Sequence, residues 1–201
     1  MFANGLQLFD LMRSEANTDP LTGLMNRRAF YNNIVDLERR AAAEKKSVFL
    51  ILGDLDKFKS VNDLYGHVAG DTLIAQVGQT LTENSRTNDI VARIGGEEFI
   101  VAMVSDDLGQ TASIADDLRA AVQHLVLNTK LGPRTFTISM GVAQQLEGEA
   151  ILETLRRADE ALYLAKSQGR NRVKTQEDMA VARLRKHTIS PEEIARLRNI
   201  A

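Results

Sequence analysis

The most apolar block in the chain is Ser47-Val48-Phe49-Leu50-Ile51-Leu52-Gly53-Asp54-Leu55-Asp56, which runs almost unbroken and then stops on two aspartates. An apolar run of this length without polar alternation is the pattern of a strand covered on both faces. A second block, residues 89–104, consists of two apolar runs joined by Gly95-Gly96-Glu97-Glu98, and predicts a β-hairpin. Apolar positions at helical spacing predict helices from the Arg27-Arg28 pair to about Lys46, from Asp71 to about Arg86 through Leu73, Ile74, Val77 and Leu81, over 108–127, and from about Ala150 to Ser167. A short helix and a glycine-rich turn are predicted between Lys57 and Asp71, and a strand over Arg134–Val142. At the N-terminus, Phe2, Phe9 and Ala16 fall seven apart with Met12 between them. This predicts a helix over 2–17 that suits the end of a longer coiled coil from an upstream domain better than a helix lying on its own domain. Asn17-Thr18-Asp19-Pro20 ends it. Near the C-terminus, Ser190-Pro191-Glu192-Glu193 places Ser at the N-cap and Pro at the first helical position, so a short helix should begin there.

The polar residues at the ends of these elements carry the chemistry. Period-two alternation puts Asp54 and Asp56 on one face of their strand. Glu97 and Glu98 sit at the tip of a hairpin that can lie beside that strand. Like charges gathered at the end of a buried strand would cost several kcal/mol without a compensating cation. A divalent-cation site is therefore the better interpretation, with the Leu55 carbonyl as a further oxygen ligand. Lys59, Asn62 and Asp71 are nucleotide-site residue types: an ammonium for phosphate, an amide and a carboxylate for a base edge. A carboxylate matches guanine, whose N1–H and 2-amino group are parallel donors, and not adenine. His67, between two glycines, reads equally as a turn residue. Arg27 and Arg28 stand in the first turn of a helix, where the dipole disfavours cations, so an anionic partner is expected, a structural ion pair before a ligand. Arg86-Thr87-Asn88-Asp89 alone reads as a turn with a surface ion pair. Lys166 and Arg170 flank the helix end that Gly169 should terminate, a place that also suits cations by the dipole.

Composition narrows the partners. At 201 residues, the chain is sized for one core with helical extensions. Hydrophobic residues at 44% and charged ones at 26% are a globular mixture. With 25 basic against 27 acidic residues the net charge is −2, which gives no field for nucleic acid or an anionic membrane surface. There is no cysteine, so a metal would sit on oxygen or imidazole ligands, and carboxylates favour Mg2+ or Mn2+. No run approaches the roughly 18 apolar residues needed to span a bilayer, and no secretory signal pattern is present; the cytoplasm is the expected compartment.

Four segments in order resemble one family. Asp19-Pro20-Leu21-Thr22-Gly23-Leu24-Met25-Asn26-Arg27-Arg28 resembles its opening motif. Asp54 to Asp71 matches Asp-x-Asp-x-Phe-Lys-x-x-Asn-Asp-x-x-Gly-His-x-x-Gly-Asp at every fixed position. Arg93-Ile94-Gly95-Gly96-Glu97-Glu98-Phe99 resembles the signature of the GGDEF family, the diguanylate cyclases, in the form with Glu at the third position, and Ala158–Asn171 resembles the last block. The resemblance spans about residues 17–174 and implies an N-terminal linker helix (1–17), a GGDEF domain (18–174) and a C-terminal helical extension (175–201). The implied fold is α+β and nucleotidyl cyclase-like, related to the ferredoxin-like palm, with a central, mostly antiparallel sheet flanked by helices. The implied reaction is condensation of two GTP molecules to cyclic di-GMP with release of two pyrophosphates. By the same resemblance Asp54, the Leu55 carbonyl and Glu97 hold two Mg2+ or Mn2+ ions, and Glu97 is also the general base. Lys59 stabilises phosphate charge, Asn62, His67 and Asp71 hold GTP, and Lys166 and Arg170 hold its terminal phosphates. Arg86 and Asp89 form an inhibitory site for the product, to which the helix over 108–127, with Asp116-Asp117 ahead of Arg119, offers no clear basic addition. Asp56 and Glu98 are left without a direct role. One motif copy and a two-fold symmetric product imply a homodimer, with a sensor domain upstream. The principal rival is a catalytically silent module that binds cyclic di-GMP or GTP as a receptor; use of ATP is disfavoured by Asp71, and a purely structural domain leaves the carboxylates unexplained.

Overall fold

The computed structural model describes residues 17–187. The helix expected over 2–17, apart from Asn17, and the one expected from Ser190 lie outside the described residues. In chain order the elements are β1 (Met25–Asn26), α1 (Arg27–Glu44), β2 (Ser47–Leu55), α2 (Phe58–Tyr65), α3 (His67–Glu83), β3 (Ile90–Arg93), β4 (Glu98–Ser105), α4 (Leu108–Gln123), β5 (Val126–Thr129), β6 (Gly132–Thr135), β7 (Ile138–Gln144), α5 (Ile151–Ser167), β8 (Val173–Thr175) and α6 (Gln176–His187). Six strands form one sheet in the order β1-β3-β4-β2-β7-β8, and β5 and β6 form a separate two-stranded hairpin. Within the large sheet β3–β4, β4–β2 and β2–β7 are antiparallel, while the outer pairs β1–β3 and β7–β8 are parallel. The expected mostly antiparallel α+β sheet is therefore what the chain forms.

The lack of alternation in β2 follows from its place between β4 and β7 with helices on both sides. Val48, Leu50 and Leu52 enter one core with Phe30, Ile34 and Leu37 of α1 and Ala158 and Leu162 of α5. Phe49, Ile51 and Leu55 enter the other with Phe58 and Val61 of α2, Leu73 and Val77 of α3 and Leu118 of α4. Asp54 continues the Val48–Leu50–Leu52 row, so it faces the α1/α5 side at the point where the apolar row ends. Across the ladder it lies opposite Glu98 of β4 and Ser139 of β7.

Local signals explain most boundaries. Asn26 caps α1, its side-chain oxygen accepting from Ala29 N, a contact worth about 1 kcal/mol. Gly66, at φ 87°, closes α2 and opens α3, a backbone turn that favours glycine. α3 begins at His67, four residues before the expected start, so His67 is the first residue of a helix and not a free turn. Two expectations over the third quarter of the chain need correcting. The predicted helix over 108–127 stops at Gln123, and the predicted strand over 134–142 is split between β6 and β7. Leu125, Val126 and Leu127 prolong the apolar pattern of the helix, yet Leu127 reaches the core from the β5–β6 hairpin. Sheet and helix also continue past residue 174, through β8 and α6. The start of α6 is a reciprocal cap in which Thr175 N donates to Asp178 Oδ2 at 2.9 Å and Asp178 N donates to Thr175 Oγ1 at 3.2 Å.

Arg27 and Arg28 are exposed, and among the described residues neither forms an ion pair, which overturns the structural pairing expected of them. The carboxylate of the opening loop turns instead to Arg93. Asp19 accepts from Thr22 N and Oγ1 and receives Arg93 Nη1 at 3.0 Å on both oxygens. Burial opposes ionisation of Asp19, but the hydrogen bonds from Thr22 and Arg93 outweigh it and hold its pKa below the usual carboxylate value. The same arginine donates to Gly96 O from Nε at 3.2 Å and Nη2 at 2.7 Å, so the start of the domain and the hairpin tip share one guanidinium.

Candidate active site

The site is built on the end of β2. Asp54 is buried, and its Oδ1 has no well-aligned hydrogen bond; the Lys166 ammonium stands 2.6 Å away as its counter-charge. Lys166 lies in the last turn of α5, the helix that covers this face of the sheet, and so it reaches the carboxylate from above. Burial raises the Asp54 pKa; Lys166 opposes this, and the charges of Asp56 and Asp159 add to it. Glu97 is half-buried at the hairpin tip, where Leu55 N donates to its backbone carbonyl at 3.3 Å. Its pKa is likewise raised, first by burial, then by the charge of Asp54, with Glu98 adding and Lys166 opposing. Asp54, Glu97 and Lys166 are thus one electrostatic cluster. Leu55 is the last residue of β2 and its side chain is in the core, so it has only backbone to offer at the sheet end. Among the described residues no three His, Asp or Glu side chains converge closely enough to hold a metal alone.

A second corner lies where α2 meets α3. Asn62 is half-buried, and its carboxamide oxygen is enclosed with no hydrogen-bond partner. It rests against Gly70, where a Cβ would come within 2.0 Å of that oxygen; the glycine is what lets the amide sit there. Asp71, the next residue, is exposed on α3, Lys59 is exposed on α2, and His67 is exposed at the head of α3. The His67 side chain makes no hydrogen bond or ion pair among the described residues. Arg170 is exposed just beyond α5, in a turn where Arg170 and Asn171 have φ of 64° and 45°, and its side chain lines a cavity of about 380 Å3 together with Asp56, Lys57, Tyr65 and Phe136.

The two acidic residues left without a role separate in the structure. Glu98 folds over Gly95, where a Cβ would meet its Oε2 at 2.1 Å. Asp56 is buried and fully hydrogen-bonded, accepting from Thr137 Oγ1, Ser139 Oγ and Asn171 N.

Arg86 and Asp89 stand at the far end of β3 from the hairpin tip, roughly 13 Å along the strand from Arg93. Asp89 Oδ2 accepts from Arg86 N at 3.0 Å. Burial raises the Asp89 pKa, opposed by the hydrogen bond from Arg86 and by the charges of Arg86 and Arg40. They line a hollow of about 350 Å3 with Arg40, Glu44 and Lys46, and Arg40 Nη2 donates to Asn88 O at 2.9 Å. Arg40 and Lys46 are the basic residues that sequence reasoning missed here. They come from α1 and the short connection between α1 and β2, and only tertiary packing brings them to this turn.

A family model described as diguanylate cyclase, GGDEF domain, matches residues 16–172. The chain belongs to the GGDEF family. As a GGDEF domain it is 38% identical over 167 residues to the diguanylate cyclase DgcM of Escherichia coli (strain K12), covering 83% of this chain and 40% of that protein. It is 38% identical over 161 residues to the response regulator PleD of Caulobacter vibrioides (strain NA1000 / CB15N), covering 79% of this chain and 36% of that protein; the chain spans less than half the length of either relative. The crystal structure of the coiled coil and GGDEF domain of DgcB from Caulobacter crescentus, in complex with c-di-GMP, superposes with a TM-score of 0.80 at 30% identity, over 86% of this chain and 92% of that one. In this GGDEF domain no described helix is long and apolar enough to cross a membrane.

Proposed function

We propose that this GGDEF domain condenses two GTP molecules into cyclic di-GMP, working as a homodimer and restrained by its product. The observation that carries the proposal is the Asp54–Glu97 pair: two carboxylates at the end of a central strand, each with its pKa raised by burial and by charge, and with a single lysine as counter-charge. Such a pair is stabilised by added positive charge. Mg2+ or Mn2+, two per site, would be held by Asp54, the Leu55 carbonyl and Glu97 together with phosphate oxygens and water, the mixed ligand set these ions favour. The absence of a ready-made protein cage among the described residues agrees with that. Bound there, the ions would neutralise the phosphates and lower the pKa of the attacking 3′-hydroxyl.

The protein's own groups supply the rest. Asp71 accepts from guanine N1–H and the 2-amino group, Asn62 and His67 hold the nucleotide beside it, and Lys59 stabilises charge on the phosphates. Lys166, relieved of its pairing with Asp54, turns with Arg170 to the terminal phosphates. A carboxylate oxygen of Glu97 takes the 3′-hydroxyl proton, the freed oxygen attacks the α-phosphorus of the facing GTP, and pyrophosphate leaves. The reciprocal attack closes the ring. Because each protomer contributes one such half-site, the two must face each other. The diguanylate cyclase DgcM among the relatives, and the c-di-GMP in the DgcB crystal, support the product.

Purified protein incubated with GTP and Mg2+ should form cyclic di-GMP, and the rate per protomer should fall on dilution. Strong GTP binding without product would instead make the domain a receptor. A rate strictly first order in protein down to nanomolar concentrations would rule out the dimer.

The hollow at Arg86 and Asp89 is where the product would act. Arg40, brought in from α1, adds a guanidinium to it. A hydrogen bond from a charged group contributes about 1.5–3 kcal/mol, so Arg40→Ala and Arg86→Ala should each raise the cyclic di-GMP concentration for half-inhibition by roughly tenfold or more, with the uninhibited rate kept. Unchanged inhibition in both variants would remove this role.

A further inference from the structure

Asp56 shares a strand face with Asp54 and differs from it in every contact. Asp54 Oδ1 has only the Lys166 ammonium beside it; Asp56 has donors on both oxygens. Its Oδ1 accepts from Ser139 Oγ at 2.7 Å, and its Oδ2 accepts from Thr137 Oγ1 at 2.7 Å and from the backbone N–H of Asn171 at 3.0 Å. Its own N–H donates to Thr137 O at 2.8 Å. The three donors occupy both carboxylate oxygens and come from residues outside the segment that carries Asp56. Asp56 is therefore a tie between three segments: the end of β2, the start of β7 and the turn after α5.

That turn holds itself only in part. Gly169, Arg170 and Asn171 have φ of 115°, 64° and 45°. Consecutive non-glycine residues in left-handed backbone persist only where their surroundings fix them. Within the turn Arg172 Nε donates to Arg170 O at 3.0 Å; the other contacts come from neighbouring segments. Arg170 N donates to Ala165 O at 3.0 Å, and Asn171 N donates to Asp56. The Asn171 side chain is held from α4, accepting from Arg119 Nη1 at 2.8 Å and donating to Gln123 Oε1 at 3.2 Å. Arg170 itself has an exposed guanidinium with no partner among the described residues, so the direction in which it leaves the backbone is set by the turn.

We propose that Asp56 is a positioning residue for Arg170, fixing through the Asn171 amide the turn that aims the guanidinium at the terminal phosphates of the nucleotide. This rests on the phosphate-holding role of Arg170 set out under the proposed function. Asp56 thus selects for the triphosphate and touches neither the metal nor the base.

The test is binding, which needs no turnover. Dissociation constants are measured with Mg2+ for 3′-deoxy-GTP, which has no attacking hydroxyl, and for GMP. Asp56→Asn keeps the shape but turns one acceptor into a donor. It should weaken 3′-deoxy-GTP by about tenfold, the scale of one hydrogen bond to a charged group, and change GMP by less than twofold. Arg170→Ala should show the same pattern, and the double variant should be no weaker than Arg170→Ala alone. Thr137→Val removes one of the two donors to Oδ2 and leaves the carboxylate in place, so it serves if Asp56→Asn does not fold; a loss of about threefold confined to 3′-deoxy-GTP is expected. Parallel losses for GMP and 3′-deoxy-GTP, or independent losses that multiply in the double variant, would overturn the inference and make Asp56 a metal-site or purely structural group. Wild-type protein that binds 3′-deoxy-GTP no more tightly than GMP would overturn the phosphate role of Arg170 and this inference with it. Retained triphosphate preference in Asp56→Asn would overturn the inference alone.

Discussion

Glu97→Gln is expected to reduce cyclic di-GMP formation by about 10³-fold or more and to leave the melting temperature unchanged or slightly higher. General-base removal alone costs roughly 10² to 10⁴, and the same carboxylate is a proposed cation ligand, so the two losses fall on one atom pair. Stability moves the other way because of how Glu97 is placed. Its folded pKa lies above its ordinary value of 4.5, first from burial and then from Asp54, so the ionised form is less favourable in the folded state than in the unfolded chain. The sign follows from linkage. Below about pH 4.5 the group is protonated in both states and contributes nothing; above the raised folded pKa the full penalty is present. Gln carries no charge and removes that penalty at neutral pH. Activity in the wild type should fall at acid pH, because a protonated Glu97 can neither take the 3′-hydroxyl proton nor hold a cation. Product measured by chromatography and unfolding followed by calorimetry check both halves. Product formation within tenfold of wild type would sink the assignment of Glu97 as base.

Much of the fold was legible because its cause is local and periodic. β2 could be recognised as a two-faced strand from its unbroken apolar run, and the Gly-Gly hairpin from its turn residues. The same face for Asp54 and Asp56 follows from period two. Their different fates do not. Asp54 meets Lys166 and Asp56 meets Thr137, Ser139 and Asn171, and the distance in sequence from Asp56 to Asn171 is 115 positions. No spacing rule crosses that gap. Arg27 and Arg28 show the same limit from the other side. The dipole argument gives them an ion-pair partner, and among the described residues neither has one, while Asp19 pairs with Arg93 across 74 positions. The β5–β6 hairpin was hidden because Leu125 and Leu127 continue the apolar spacing of α4. The start of α6 is local as well: Thr175-Gln176-Glu177-Asp178 is a capping pattern at the head of the expected C-terminal helical extension.

Gly141→Ala should be the most damaging single methyl in the domain, through packing and not chemistry. Gly141 lies in β7 on the face that α5 covers. A Cβ there would come within 2.1 Å of Ala158 O, 2.3 Å of Leu162 N and 2.9 Å of Leu162 Cα. These are backbone atoms of a helix, so no side-chain rotation relieves the contact. α5 must move off the sheet by on the order of 1 Å to approach ordinary contact distances. Overpacking of this kind costs about 1–3 kcal/mol and occasionally more, which for a chain of this size is a fall in melting temperature of roughly 2–12 °C. The displacement also has a functional consequence. α5 carries Lys166 to within 2.6 Å of Asp54, and moving the helix displaces the ammonium from the site where it is proposed to meet the terminal phosphates, so activity should drop even below the unfolding range. Gly96→Ala is the control: nothing lies within 4 Å of its Cβ position and its φ is not in the left-handed range, so its melting temperature should stay near that of wild type. At Gly95 the obstacle is the Glu98 carboxylate, the far end of a flexible side chain that can swing away, so a methyl in the hairpin motif costs less than one under α5. Thermal unfolding of the three variants side by side tests the order. Gly141→Ala melting within about 1 °C of wild type, against the few degrees that each kcal/mol produces, would mean that α5 yields freely and that its hold on Lys166 comes from elsewhere.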